Sequence, residues 1–265
     1  MLSIIIPSYK DPLLQKTIDS LLENATGHIE VIPVLDGYWP EIPLKDDDRV
    51  MPVHIGRNGG MRNAINAGVR VSRGEYLMRT DEHAVFGDSY DEILTSSLKS
   101  NWIVTPRRYF LDTEKWEIMD IPPVDYMRLK IARVGDGKGG LMHKFSGVEW
   151  KGQAKKRKDI MIDETMAMQG SCWAMKRSWW DKAIVELQSE GYGTHYQDSH
   201  EMTFKAWKKG GKLMVNKNTW HGHKHRKFPR SHGYGGKEAR DGFRYALKTW
   251  KKYYEKEIVP RQNEL

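Results

Sequence analysis

The residues best suited to chemistry close the stretch Tyr76-Leu77-Met78-Arg79-Thr80-Asp81-Glu82-His83, a short apolar run that delivers an acid and a histidine two positions apart. A strand alternates its side chains with period two, so Asp81 and His83 point the same way where the strand gives out into a loop. A carboxylate oxygen beside an imidazole nitrogen favours a borderline divalent ion such as Mn²⁺ over Ca²⁺, which prefers oxygen shells. The same triplet also suits a solvated strand end. A second acidic cluster, Tyr196-Gln197-Asp198-Ser199-His200-Glu201, heads a run with Met202, Phe204, Ala206 and Trp207 on its apolar face, stopped by Gly210-Gly211. Asp198 there serves either as a helix cap or as a carboxylate for proton transfer. Further on come His221, His223 and His225, with His232 beyond. Any of these can supply an imidazole that a D-x-H site lacks, and histidines on a surface loop can equally be incidental.

The elements that must position these groups read as β-α repeats. Leu2–Ile6 is a continuous apolar run, as expected of a strand buried on both faces, and Pro7-Ser8-Tyr9 ends it. Leu14, Ile18, Leu21 and Leu22 then follow at helical spacing behind Pro12. Ile29–Leu35 is a second strand, parallel to the first because a helix intervenes, and it ends in Asp36-Gly37. Ligand crevices in open α/β sheets lie outside the carboxyl ends of the strands, which makes Pro7, Ser8, Tyr9 and Asp36 candidate ligand neighbours. A plain Asp-Gly turn is the alternative for Asp36. Val53-His54-Ile55 reads as a short strand. The turn Gly56-Arg57-Asn58-Gly59-Gly60-Met61-Arg62-Asn63 then opens a helix whose N-terminus can receive phosphate or sugar oxygens, with Arg57 or Arg62 supplying charge. The turn is neither a Walker loop nor a Rossmann fingerprint. The D-x-H triplet closes the next repeat at the same sheet edge.

Beyond it, Tyr90–Leu98 reads as a helix, Trp102–Thr105 as a strand halted by Pro106, and 133–158 as a long basic, glycine-rich loop that includes Lys155, Lys156, Arg157 and Lys158. The small residues around Gly170 in MAMQGSCWAM allow close backbone approach, for packing or for a sugar. Arg177–Leu187 is an expected helix and Leu213–Val215 a strand. Lys237–Lys256 is a basic amphipathic helix, its stripe of Phe243, Leu247, Trp250 and Tyr254 expected to dock onto the body.

The chain has 265 residues, 39% of them hydrophobic, enough for a sizeable core. No stretch approaches the roughly 20 apolar residues of a membrane span, and no signal segment opens the sequence, so a soluble cytoplasmic protein is the expectation. The single cysteine, Cys172, excludes an internal disulfide and argues against a thiolate metal site. A net charge of +8 and a pI near 9.3 indicate attraction to polyanions: a nucleoside diphosphate, nucleic acid or an anionic surface.

The ordered set IIIPSYKD, VLDG, NGGMRNAINAG and EYLMRTDEHAVF resembles the nucleotide-binding half of GT-A-fold glycosyltransferases, in the large inverting family that includes many bacterial sugar transferases. The later elements look more like the polypeptide N-acetylgalactosaminyltransferases. The resemblance covers about residues 2–110 and 160–235, and it implies an α/β GT-A catalytic domain over 1–235. Within that domain lie a nucleotide-binding half (1–110), a variable basic region (111–159) and an acceptor half (160–235), with a basic helix (236–265) after it. It also implies that Asp81 and His83 bind Mn²⁺ or Mg²⁺, with His223 of the Gly222-His223-Lys224-His225-Arg226 element as third ligand. Arg226 and Lys224 would help with the phosphates, Asp36 would read base or ribose, and the segment around Gly170 would line the donor sugar. Asp198 would act at the acceptor side, as a base in an inverting reaction or as a positioning group in a retaining one. The implied donor is a UDP-sugar; the acceptor is a saccharide, a protein side chain or, given the charge, a hydroxylated base in DNA. A nucleic-acid-binding module with a vestigial metal site is the alternative of another class. His195-Tyr196-Gln197 stand where the N-acetylgalactosaminyltransferases usually carry small glycines and a glutamate. No lectin domain or membrane anchor is recognisable, so a peptide acceptor is not implied.

Overall fold

The computed structural model describes residues 1–135, 138–224 and 236–265. Strand β1 (Leu2–Ser8), helix α1 (Leu14–Asn24), β2 (Ile29–Asp36), β3 (Val53–Ile55), α2 (Met61–Val71) and β4 (Tyr76–Thr80) form the first half, and β1 lies parallel to both β2 and β4. The apolar runs of β1, β2 and β4 are buried on both faces with period two. Ile5, Ile32, Val34 and Leu77 face one core with Ala64, Ile65 and Val69 of α2. Ile4, Ile6, Val31, Leu35 and Met78 face the other with Leu14, Ile18 and Leu21 of α1. This is the double burial that keeps parallel strands dry.

The chain continues through β5 (Ala84–Phe86), α3 (Tyr90–Ser97), β6 (Trp102–Asp112), β7 (Glu117–Ile118), β8 (Met127–Gly135), β9 (Leu141–Glu149), α4 (Lys151–Lys156), β10 (Ile162–Glu164) and β11 (Cys172–Lys176). After α5 (Arg177–Trp179) and a π-helical turn over Trp180–Ile184 come α6 (Asp198–Lys208), β12 (Lys212–His223), α7 (Lys237–Tyr253), a second π turn and α8 (Val259–Glu264). The main sheet runs β10-β12-β6-β11-β4-β1-β2-β3, with β5 on β12 and β7 on β6. Strand β11 is inserted antiparallel between β4 and β6, whereas β12 runs parallel to β6. The fold is thus α/β, parallel in its first half and mixed beyond β4.

Four expectations need correction. Pro106 does not halt its strand. It pairs with Asn216 at a register shift in β12, where an irregular ladder does not need the missing N–H. The basic 133–158 loop is largely ordered, as the β8–β9 ribbon followed by α4. The helix expected over Arg177–Leu187 ends early, at Val185, whose φ is positive at 64°. The strand at Leu213–Val215 is the start of a much longer one that reaches His223. The C-terminal helix does dock: Trp250 stacks on Phe204 of α6 at 5.1 Å, and Tyr254 Oη donates to Leu129 O of β8 at 3.1 Å. Among the described residues no helix is long and apolar enough to cross a membrane.

Candidate active site

A cleft of about 550 Å³ opens at the carboxyl ends of β1, β2 and β4 and extends to the β8–β9 ribbon and the start of α6. Its size is that of a small-molecule site. Pro7, Ser8, Tyr9, Asp36, Asp81, His83, Gly170, Asp198 and His223 all line it.

The D-x-H triplet lies just past β4. Asp81 N–H donates to Ser171 O at 3.0 Å, which fixes the backbone beside β11. Glu82, between the two candidate ligands, accepts the Tyr9 N–H at 3.0 Å and ties the end of β1 to the loop. Asp81 and His83 converge as period two requires, with His83 Nε2 3.9 Å from Asp81 Oδ2. The third group arrives on β12, whose end pairs antiparallel with β5 so that His223 lies opposite Ala84. Gly222 permits this approach, since a Cβ there would stand 2.4 Å from Ile118 Cδ1 and 2.7 Å from Val85 Cγ1. His223 Nε2 comes to 2.9 Å from Asp81 Oδ2, and one ligand atom from each of the three residues falls within 4.8 Å of the others.

Two neighbours tune this cluster. The buried Asp11 accepts from His83 Nδ1 at 2.9 Å, which places the proton on Nδ1 and leaves the Nε2 lone pair turned towards Asp81. Arg79, almost fully buried, donates to Asp81 Oδ1 at 2.6 Å and also to Gly170 O. Burial alone would raise the Asp81 carboxyl, but the Arg79 charge and the His223 contact outweigh it and hold it well below the usual carboxylate range. The group is therefore an anion ready to ligate.

Other expected residues fall differently. Asp36 has both oxygens engaged: Gly59 N and Gly60 N donate at 2.7 Å, and Asn58 Nδ2 at 3.0 Å. It lines the cleft while holding the glycine turn, against which the next residue, Gly37 at φ 76°, packs so closely that a Cβ would meet Asn58 N. Asn58 belongs to that turn and does not line the cleft. Arg62, expected as a charge for phosphate, is fully buried below it. It pairs with Glu201, donates to Tyr196 O and Gln188 O, and lies over the Tyr192 ring. That position follows from the helix period, which turns Arg62 inward. Asp198 is the first residue of α6, behind Gln197 at φ 59°, and no side-chain cap bond closes that helix start. Lys224 bonds Thr113 Oγ1. Arg226, His225 and His232 lie outside the described residues. Of the basic run, Arg157 is committed to Asp163, with Nη2 to Oδ1 at 2.7 Å, so it does not present a free charge to a polyanion.

Sequence reasoning missed Asp11, Arg79, Arg108, Lys144 and His200. Asp11, Arg79 and His200 flank or lie within motifs singled out for other residues, whereas Arg108 and Lys144 sit on elements whose pattern gives no hint of facing the cleft.

The family model described as Glycosyl transferase family 2 matches residues 3–183. The chain belongs to that family. Its architecture is the GT-A fold. Among family relatives, the uncharacterized glycosyltransferase EpsJ of Bacillus subtilis is 32% identical over 108 residues, 38% of this chain and 31% of its own length. The probable N-acetylgalactosaminyltransferase 7 of Caenorhabditis elegans is 23% identical over 265 residues, 95% of this chain and 43% of its own. The crystal structure of GalNAc-T7 with UDP, GalNAc and Mn²⁺ superposes with a TM-score of 0.71 at 18% identity, covering 96% of this chain and 50% of that one. This family 2 chain thus spans less than half the length of those two curated relatives.

Proposed function

We propose that the protein transfers a sugar from a UDP-sugar to an acceptor hydroxyl, using a divalent cation held by Asp81, His83 and His223. The observation that carries this reading is the convergence of one carboxylate and two imidazoles at the sheet edge where the cleft opens. The donor set fits a borderline ion such as Mn²⁺, with Asp11 as the outer-shell partner that such a histidine ordinarily has. Family membership supports sugar transfer. The fold shared with a protein crystallised with UDP and Mn²⁺ supports the donor and the ion.

When bound, the cation supplies Lewis-acid neutralisation of the leaving diphosphate. The chain's own groups do the rest. Arg79 keeps Asp81 ionised and oriented, and Asp11 keeps the His83 lone pair available. His223 would offer Nε2, which lies 2.9 Å from Asp81 Oδ2, as the third ligand, with the ring proton carried on Nδ1. Pro7, Ser8 and Tyr9 carry the nucleoside end of the donor, and Gly170 borders its sugar. Asp198, on the helix that closes the cleft, takes the proton of the attacking hydroxyl. The base-reading role expected of Asp36 is not retained, because its carboxylate is occupied by the turn. A hydroxylated DNA base as acceptor has no support in the family or in the site.

Isothermal titration of UDP with and without Mn²⁺ tests the reading. The wild type should bind UDP at least tenfold more tightly with the ion, and Asp81→Ala, His83→Ala and His223→Ala should each abolish that gain. Unchanged gains in all three variants would remove the metal site.

A further inference from the structure

The fold treats two adjacent arginines of β6 in opposite ways. Arg107 is locked in a two-pronged pair with Asp125, Nε to Oδ1 and Nη2 to Oδ2 both at 2.7 Å. Arg108 points to the other face, as period two demands, and lines the cleft. Its Nε is buried without a hydrogen-bond partner, and its guanidinium makes no ion pair among the described residues. Burial pulls it below its usual range. Glu149, the carboxylate that acts against this, sits 3.9 Å from Lys151 Nζ.

A half-buried cation with no carboxylate of its own is costly for the protein alone and useful to an anionic ligand. Lys144 of β9 lines the same cleft, and burial lowers it too. The topology says which part of the substrate meets Arg108. In the β6–β12 pairing it stands beside His221, one alternation from the Phe110–His223 pair, so it shares the face of the third metal ligand. Strand β6 lies on the far side of β4 from β1 and β2, where the nucleoside end of the cleft begins. Arg108 also pairs through its backbone with Val124, which leads into the β8–β9 ribbon, so the cation stands at the end of the cleft away from the nucleoside, beside Lys144 of that ribbon.

We propose that Arg108, with Lys144, forms a subsite for an anionic substituent, a carboxylate or a phosphate, carried by the acceptor sugar. This rests on the glycosyl-transfer reading of the cleft. The planar guanidinium matches either group by two parallel hydrogen bonds, and such charge-assisted pairs are roughly twice as strong as neutral ones.

Four probes distinguish the sources: methyl glucuronoside against methyl glucoside, and glucose 6-phosphate against glucose. Each is titrated into protein loaded with UDP and Mn²⁺. At least one anionic probe should bind roughly tenfold or more tightly than its neutral parent, and which one does so identifies the group. Arg108→Gln should bring the pair to within about threefold, and Arg108→Lys should keep part of the preference. Both variants should retain the wild-type circular dichroism spectrum and bind UDP within about twofold of wild type. No preference for either anion in the wild type would overturn the subsite, and so would a tenfold loss of UDP affinity in Arg108→Gln, which would assign the cation to the diphosphate. Failure of the wild type to bind UDP with Mn²⁺ would instead count against the reading of the site itself.

Discussion

Asp198 and the Asp81 cluster are both acidic, yet their surroundings assign them different work. Asp81 is pinned by Arg79 and His223, while Asp198 stands at the mouth of α6 behind a cap position that Gln197 occupies. A residue needed only for the helix start would tolerate Asn. Asp198→Asn keeps the side-chain shape and removes the basic carboxylate, so it should leave UDP affinity within about twofold and cut transfer by a factor on the order of 10² or more. Transfer within threefold of wild type would deny Asp198 the proton-accepting role. At this scale the sequence was informative where residue type and spacing state the chemistry, as in D-x-H. It was silent on Arg108, because one arginine beside another carries no sign of which will find a carboxylate.

Helix α6 is held in place from below by the Arg62–Glu201 pair, both side chains fully buried, and this links it to the N-terminus of α2. Removing one partner of such a pair leaves an uncompensated charge in the core. Arg62→Met should therefore lower stability by about 3 kcal/mol in denaturant unfolding, with Lys205, 2.7 Å from Glu201, limiting the loss. A loss below 1 kcal/mol would show that the pair is dispensable to the core. The elements of the first half were legible because their apolar runs are continuous and buried on both faces. The β8–β9 ribbon was not, since it buries little beyond Leu129 and Phe145 and so shows no period-two pattern. Strand β12 was read short because Asn216, Lys217, Asn218 and Thr219 interrupt its apolar character at the register shift.

For the molecule as a whole, stability below neutral pH is coupled to an imidazole at the cleft wall. His200 Nε2 accepts the Gly147 N–H at 3.1 Å, and burial, with Lys144 and Arg62 nearby, pushes its pKa down to about 3. The unfolded chain binds that proton from about pH 6.5 downward, whereas the folded chain does not until about pH 3. The stability this group contributes is complete above pH 6.5 and is lost as the pH falls towards 3. His200→Leu should therefore flatten the decline of melting temperature between pH 6.5 and 4 relative to wild type; parallel curves would show that His200 does not sense the pH. The order of parallel repeats was readable from the chain, but the antiparallel insertion of β11 was not, because it depends on pairing between distant segments.

The contact between Asp81 and His223 joins residues 142 positions apart. During synthesis the chain grows at about 5–20 residues per second. The acid and the first imidazole therefore leave the ribosome several seconds before the strand that brings the second. A nascent chain can assemble β1 to β4 and still be unable to capture a cation in the mature geometry. On the proposed reading of the site, metal loading would therefore come late, after the far strand has been threaded into the sheet.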